Sequence, residues 1–229
     1  VRYYKDYAGG TDFGAQASHG NTYFGRWQEG PLESEFSGNL VEVCPTGVFT
    51  DKPFSKQYSR KWDLQSSPSI CTGCSVGCNT TPGERYGSLR RIANRFNDEL
   101  NGYFLCDKGR FGAEYVNSPE RIPVNMTRKS HDDDPVQIEA DTAKEALQTM
   151  AKGAIGIGSP RASMEANFAL REKVGEDNFY AGISEKELDM LNKIIDIYQN
   201  QPINIANIKD IENSDAVLIL GEDLTNTAA

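Results

Sequence analysis

Histidine is almost missing from this sequence, with two residues in 229, and no apolar run approaches the 18 or so residues that cross a bilayer. His19 and His131 each stand in a polar loop without a ligand-spaced neighbour. That removes Ser-His-Asp and Cys-His nucleophiles and leaves no imidazole metal site. Without a membrane span, a membrane role has to come through partner subunits. Positive charge is also short: 24 basic residues against 33 acidic ones give a net charge of −9. Such a balance repels a phosphate backbone, so nucleic acid is not an expected partner. The start, VRYYKDYAGG, has neither Met nor the apolar core of a signal peptide. The finish, LTNTAA, falls a few residues beyond a strand-like run, and both ends are expected to be cuts from something longer. Cysteine is scarce and uneven. Five residues, clustered and without a secretion signal, argue against a disulfide framework and make metal the better default.

What is present divides into three stretches. Residues 1–66 are rich in Gly, aromatic and charged residues, and AGGTDFG, HGNTYFG and WQEGP predict irregular loops with short strands. A short helix or turn is expected over 37–43, ended by the Cys44-Pro45 pair. Residues 67–123 predict a small, metal-dependent domain. Its expected parts are a β-ribbon over 85–97 with Leu89, Ile92 and Phe96 on a buried side, a strand at GYFLC, and a short helix around 112–117. From 124 to 229, strand and helix signals alternate. Asp141 is expected to cap the helix TAKEALQTMAK, AIGIGS reads as a buried strand, and Ser159 and Pro160 are expected to start the helix MEANFALREKV. NFYAGI and DAVLILGED read as strands, and a short helix is expected near IKDIENS. In EKELDMLNKIIDIYQN, the positions Leu188, Leu191, Ile194, Ile195 and Tyr198 follow helical spacing, as for a face packed on a sheet. The fold class expected is therefore α+β followed by α/β, the latter a truncated Rossmann-like parallel sheet.

The thiols carry the chemistry. Their pattern is Cys71-x2-Cys74-x3-Cys78-x27-Cys106. Three thiolates from one tight loop and a fourth from a distant segment suit a [4Fe-4S] cluster, whereas structural zinc more often takes two C-x2-C pairs and this chain has one. Thr72, Gly73, Ser75 and Gly77 are small enough to let backbone N–H groups approach the sulfurs. Lys108 and Arg110 are candidates to offset the charge of a thiolate-ligated cluster; a solvated KGR turn is the plainer alternative. Cys44, followed by Pro, has the form of the last ligand of a ferredoxin run, but no C-x2-C-x2-C precedes it. It is either a buried thiol or one ligand of a second cluster.

Other patterns have bland readings. GIGSPR lacks the third glycine of a dinucleotide loop and reads as a strand-to-helix turn. HDDDP, at 131–135, reads as a solvated loop, and Trp27 and Trp62 as packing or interface residues.

The stretches RYYKDYAGGTDFG, YFGR, LESEFSGNLVEVCPTGVFTDK, RKWDLQSSPSICTGCSVGCN, PGERYGSLRRI, YFLCDKGRFG, IGIGSPRASMEANFALRE and AVLILGED together resemble the large iron–sulfur subunit of bacterial NADH-quinone oxidoreductase, respiratory complex I, known as its G subunit. The resemblance implies a ferredoxin-like tail over 1–66, a [4Fe-4S] domain of the molybdopterin-oxidoreductase type over 67–123, and the start of an α/β domain over 124–229. It implies that Cys71, Cys74, Cys78 and Cys106 hold an extra cluster away from the main electron path. Cys44 is similar to the last ligand of another [4Fe-4S] cluster, whose other ligands would precede Val1. No molybdenum is implied. The expected partners are other hydrophilic-arm subunits, and the expected place is the cytoplasmic side of the bacterial inner membrane, held peripherally. The same cysteine spacing occurs in molybdenum and tungsten enzymes such as formate dehydrogenase, which would use Lys108 as a bridge to a pterin. That kinship and a zinc-stapled interaction module are the alternatives.

Overall fold

The computed structural model describes residues 1–57, 59–151 and 153–224. Its contacts separate Val1–Arg121, with the stretch from Ala206 onward, from a second unit, Ile122–Ile205. Helix and sheet are mixed throughout.

The first unit opens with a π-helical turn, Tyr3–Tyr7, that buries Tyr3 and Tyr4. These two rings, Phe13 and Leu40 form the core, with Val1, Ala8, Leu32, Phe49 and Phe104 packed around it. The rings meet at angles, Tyr4 to Phe13 at 5.7 Å and Phe13 to Phe49 at 5.6 Å, geometry worth about 0.5–1.5 kcal/mol per pair beyond area burial. Phe104 reaches Tyr3 at 4.9 Å, so the stretch just before Cys106 shares this core.

Where the sequence predicts loops, the chain makes a regular hairpin. Strands β1 (Phe13–Ser18) and β2 (Asn21–Arg26) pair from Phe13↔Arg26 to Ser18↔Asn21. His19 (φ 49°) and Gly20 (φ 82°) form a two-residue turn with both φ positive, the handedness that matches strand twist. The expected helix over 37–43 is present as a 3-10 turn, Ser37–Asn39, running into α1 (Leu40–Val43). It stops at Cys44, which takes the extended backbone imposed by the following proline. Helix α2 (Lys52–Ser55) is capped by Asp51, which accepts from the Phe54 N–H at 2.6 Å.

An antiparallel sheet then supports the thiols. Strands β3 (Gln65–Ser66) and β4 (Ser69–Ile70) pair with successive parts of β5 (Asn79–Arg85), which also pairs with β6 (Ser88–Asn94). The expected ribbon is thus real but begins at Asn79 and turns at Tyr86-Gly87. Leu89 and Ile92 are half-buried, but Phe96 is half-exposed and stacks on Tyr103 at 4.6 Å instead. GYFLC is not a strand. Its only pairing among the described residues is the isolated Asn97↔Gly102 bridge, because a side chain occupies the hydrogen-bonding edge of Leu105. Helix α3 (Asp107–Phe111) and a 3-10 turn, Glu114–Asn117, stand where one short helix is expected around 112–117.

In the second unit, β7 (Met126–Thr127) and β8 (Val136–Gln137) form an antiparallel pair ahead of α4 (Ala140–Met150). Asp141 does not cap α4. It lies in the first turn, paired with Lys144 at 3.0 Å, and Glu139 flanks the helix without a side-chain bond. The predicted last residue of this helix, 152, lies outside the described residues. AIGIGS shortens to β9 (Gly156–Ile157), in which Gly156 is buried but Ile157 is exposed. Helix α5 (Met164–Val174) starts at Ser163, which accepts from the Ala166 N–H at 3.1 Å; Ser159 and Pro160 remain in the turn before it. Strand β10 (Phe179–Tyr180) pairs in parallel with β9. Helix α6 (Glu185–Asn200) has a full capping box from Ser184 and Glu187. Its expected apolar face exists, yet Leu188, Leu191, Ile194, Ile195 and Tyr198 stay 37–49% exposed rather than packed on a sheet.

The stretch from Ala206 contains α7 (Ile208–Glu212), capped by Asn207 and Asp210. DAVLILGED is not a strand. Extended backbone needs a partner for its N–H and C=O groups, and among the described residues no strand pairs with it. The predicted finish at 225–229 lies outside the described residues.

Candidate metal centre

Strands β4 and β5 are joined by the loop that carries three of the thiols, and its ends are tied together by the Cys71 N–H donating to the Cys78 carbonyl at 2.8 Å. Gly77, at φ 68°, takes the left-handed conformation that returns the chain to β5. Asn101 fixes the exit: it accepts from the Asn79 N–H at 2.9 Å and donates to Asn94 Oδ1 at 2.7 Å and Arg95 O at 3.1 Å. Cys78 is buried, and Cys71 and Cys74 are partly exposed. The fourth thiol, Cys106, is buried at the N-cap of α3.

Backbone donors reach two of the sulfurs. The Gly73 N–H lies 3.4 Å from Cys71 Sγ and the Gly109 N–H 3.4 Å from Cys106 Sγ. Gly109 is needed for space, since a Cβ there would sit 3.1 Å from Cys71 Sγ, whereas one on Gly73 would make ordinary contact with that sulfur at 3.4 Å. The thiols also act on one another. Burial, then the neighbouring Cys106, Cys71 and Cys74, push the Cys78 thiol up to about 11. Burial raises Cys106 as well, against the opposing Gly109 N–H. None of the cysteines is in a disulfide.

This donor set has the composition of a cluster site, four free cysteines without histidine. A tetrahedral zinc with bonds of about 2.3 Å would need its sulfurs about 3.8 Å apart. A [4Fe-4S] group instead takes one cysteine at each of four separate irons, with amide donors directed at sulfur. Four free thiols, of which Cys78 feels the other three and two receive N–H donors from glycines beside them, have that character.

Lys108 is exposed, with its stem lying against Gly73 in the thiol loop. Arg110 departs from expectation. Its buried guanidinium donates to Glu42 Oε2 at 2.9 Å and Asn39 Oδ1 at 2.8 Å, so its charge is matched by Glu42. Cys44 lies at the end of α1 in surroundings made by residues 46–49. The Thr46 hydroxyl, 3.4 Å from Sγ, and then the Phe49 amide lower its thiol to about 6, which favours a thiolate at neutral pH. His131 sits exposed beside an exposed Asp132, and 131–135 are all exposed. In the GIGSPR turn, the Asn167 side chain bonds both Ser159 N and Ser159 O, which leaves an ordinary turn.

The residues that sequence reasoning misses are Asn39, Glu42, Asp107 and Asn101. Each is a single polar residue with no periodic or spaced partner, and its role depends on contacts up to 71 positions away.

Comparison with known proteins matches this layout. Residues 1–50 match the family model for the ferredoxin-like domain of NADH-quinone oxidoreductase subunit 3, and residues 64–118 match that for the molybdopterin oxidoreductase Fe4S4 domain. Over the whole chain it is 56% identical to the NADH-quinone oxidoreductase G subunit of Pseudomonas fluorescens, and 55% identical to those of Shewanella oneidensis and Escherichia coli. In each case it spans 25% of the relative's length. With these two domain matches in this order, the chain is similar along its whole length to NADH-quinone oxidoreductase G subunits, of which it spans about a quarter.

Proposed function

We propose that this chain is an iron–sulfur electron-carrying segment of NADH:quinone oxidoreductase, complex I. Electrons pass in the full complex from NADH toward quinone, coupled to proton translocation. Turnover belongs to that complex and is not expected of this chain alone. Cys71, Cys74, Cys78 and Cys106 would hold one [4Fe-4S] cluster, and Cys44 would supply one ligand of a second. A bound cluster supplies one-electron transfer; the protein contributes thiolates, amide donors and exclusion of water. Gly73 and Gly109 direct N–H groups at sulfur, burial of Cys78 and Cys106 keeps water away, and Lys108 lends positive charge beside the loop.

The observation that carries this reading is the ring of free thiols drawn from the 71–78 loop and the N-cap of α3, within a match to an Fe4S4 family model. The division into 1–66, 67–123 and 124–229 is supported by two successive family matches, over 1–50 and 64–118, and by the boundary in contacts after Arg121. A Rossmann-like start to the last part is supported by the parallel β9–β10 pair with α5 between its strands. A molybdenum enzyme is the less favoured reading, since identity to the complex I relatives runs the length of the chain. The partners would be other hydrophilic-arm subunits. Exposed Tyr23, Phe24 and Trp27 offer aromatic contact surface, the residue types enriched at interfaces. Among the described residues no helix is long and apolar enough to cross a membrane, which supports a peripheral position, on the cytoplasmic side of the inner membrane in this reading.

The test is iron, sulfide and zinc content with EPR on protein purified without air. About four irons and four sulfides per chain, lost in Cys74→Ser, are expected. One zinc with neither iron nor sulfide would overturn the reading.

A further inference from the structure

We propose that the cluster site is bipartite, and that Asn39, outside the matched Fe4S4 domain, is the positioning residue for the Cys106 thiol. This rests on the reading of the four thiols as cluster ligands. Cys106 enters the site from a segment without strand pairing, so something else must fix its backbone. Leu105, just before it, donates its N–H to Asn39 Oδ1 at 3.1 Å and accepts from Asn39 Nδ2 at 2.8 Å. Those are the two bonds a neighbouring strand would supply. Just after it, the Asp107 N–H donates to Glu35 O at 2.6 Å, while the Asp107 carboxylate accepts from the Gly38 N–H at 2.7 Å and the Ser37 hydroxyl at 2.5 Å. Cys106 is therefore gripped on both sides by residues 35–39.

Asn39 is 1% exposed, and all of its hydrogen-bonding capacity is used. Oδ1 accepts from Leu105 N and Arg110 Nη2; Nδ2 donates to Leu105 O and Phe36 O. Aspartate, of the same shape, would turn both donated bonds into contacts between acceptors, and an apolar residue would strand the buried N–H and C=O of Leu105. A separate observation marks the close fit: a Cβ on Gly38 would lie 2.7 Å from both Arg110 Cδ and Asp107 Oδ1. The segment 35–42 thus completes a site whose thiols all lie in 71–106. Supporting partners of this kind typically change metal affinity about 10- to 100-fold when removed.

The experiment uses the full-length complex I subunit purified without air, comparing wild type, Cys74→Ser, Asn39→Asp, Asn39→Ala and Leu40→Ala. Leu40 is buried next door in the aromatic core and has no side-chain bond to the Cys106 segment, so it controls for general destabilisation. Iron release to a chelator and the EPR signal missing in Cys74→Ser are followed at temperatures set equally far below each variant's Tm. Both Asn39 variants are expected to release that cluster's iron about 10- to 100-fold faster and to alter its signal, with Leu40→Ala keeping the wild-type rate. Asn39 variants that match Leu40→Ala would overturn the proposal. If neither Asn39 variant folds, Ser37→Ala, which deletes one bond to Asp107, is measured in the same way; a wild-type release rate there would overturn it too. A wild-type protein without Cys74-dependent iron would instead sink the cluster reading on which the proposal stands.

Discussion

Asp12 shows how much a single side chain organises in the N-terminal part. Its carboxylate accepts from the Tyr4 hydroxyl at 2.5 Å and the Glu33 N–H at 3.2 Å, and pairs with Arg26 Nε at 3.0 Å. The Tyr4 hydroxyl first, then backbone donors and the Arg26 guanidinium, hold Asp12 below the usual carboxylate range. A depressed carboxylate stabilises the fold above its unfolded value of about 3.9, and that contribution is lost as pH falls through the folded value. Near-UV CD of the tyrosine core should therefore collapse only below about pH 4. Asp12→Asn should be less stable at neutral pH and lose that acid-dependent part of the curve; an unchanged acid transition would remove Asp12 from the account. At this scale the sequence is legible where chemistry repeats at short range. Cys71, Cys74 and Cys78 announce themselves by spacing, whereas Asn39 has no pattern, because its partners Leu105 and Arg110 lie 66 and 71 residues away.

Among the elements, α3 is constrained from both ends. Its N-cap is Cys106, and its third residue, Gly109, packs so closely that a Cβ would lie 2.9 Å from Leu105 Cδ1 and 3.1 Å from Cys71 Sγ. Helix propensity favours Ala over Gly by about 1 kcal/mol. Overpacking against a fully buried Leu105 opposes it with about 1–3 kcal/mol. Gly109→Ala is accordingly expected to lower the Tm and the iron content together; a raised Tm with full iron would mean that the loop yields easily. Elements that are legible in the sequence carry their own caps, as α6 does with Ser184 and Glu187 and α7 with Asn207 and Asp210. The misread ones depend on distant partners. GYFLC and DAVLILGED have strand-like composition, but the first is bonded by a side chain and the second has no strand beside it among the described residues. The β1–β2 hairpin is hard to read because His19-Gly20 is an uncommon form of the two-residue turn.

For the molecule as a whole, Cys44 and the four-thiol site belong to one body, since α1 carries Asn39 at its N-cap and Cys44 at its C-cap. If Cys44 serves a second cluster, Cys44→Ala and Cys71→Ala in the full-length protein should each remove a different EPR signal. Loss of the same signal in both would sink that assignment. Much of the overall plan, a cluster segment followed by strand and helix alternation, is readable from composition and spacing, but burial is not. Apolar residues on α6 and on Val217–Leu220 are exposed, and periodicity alone cannot say whether an apolar face is covered. The closed loop at Cys71–Cys78 also sets a timetable. A loop of that size closes in about 10–100 ns, before any long-range contact is needed. Cys106 must wait for bonds that reach back 66 to 70 residues to Asn39 and Ser37. If these thiols hold a cluster, three of its ligands are thus ready early and the fourth follows, so the N-terminal part would act as a latch: until it has folded, iron delivered to the loop would be held on one side only.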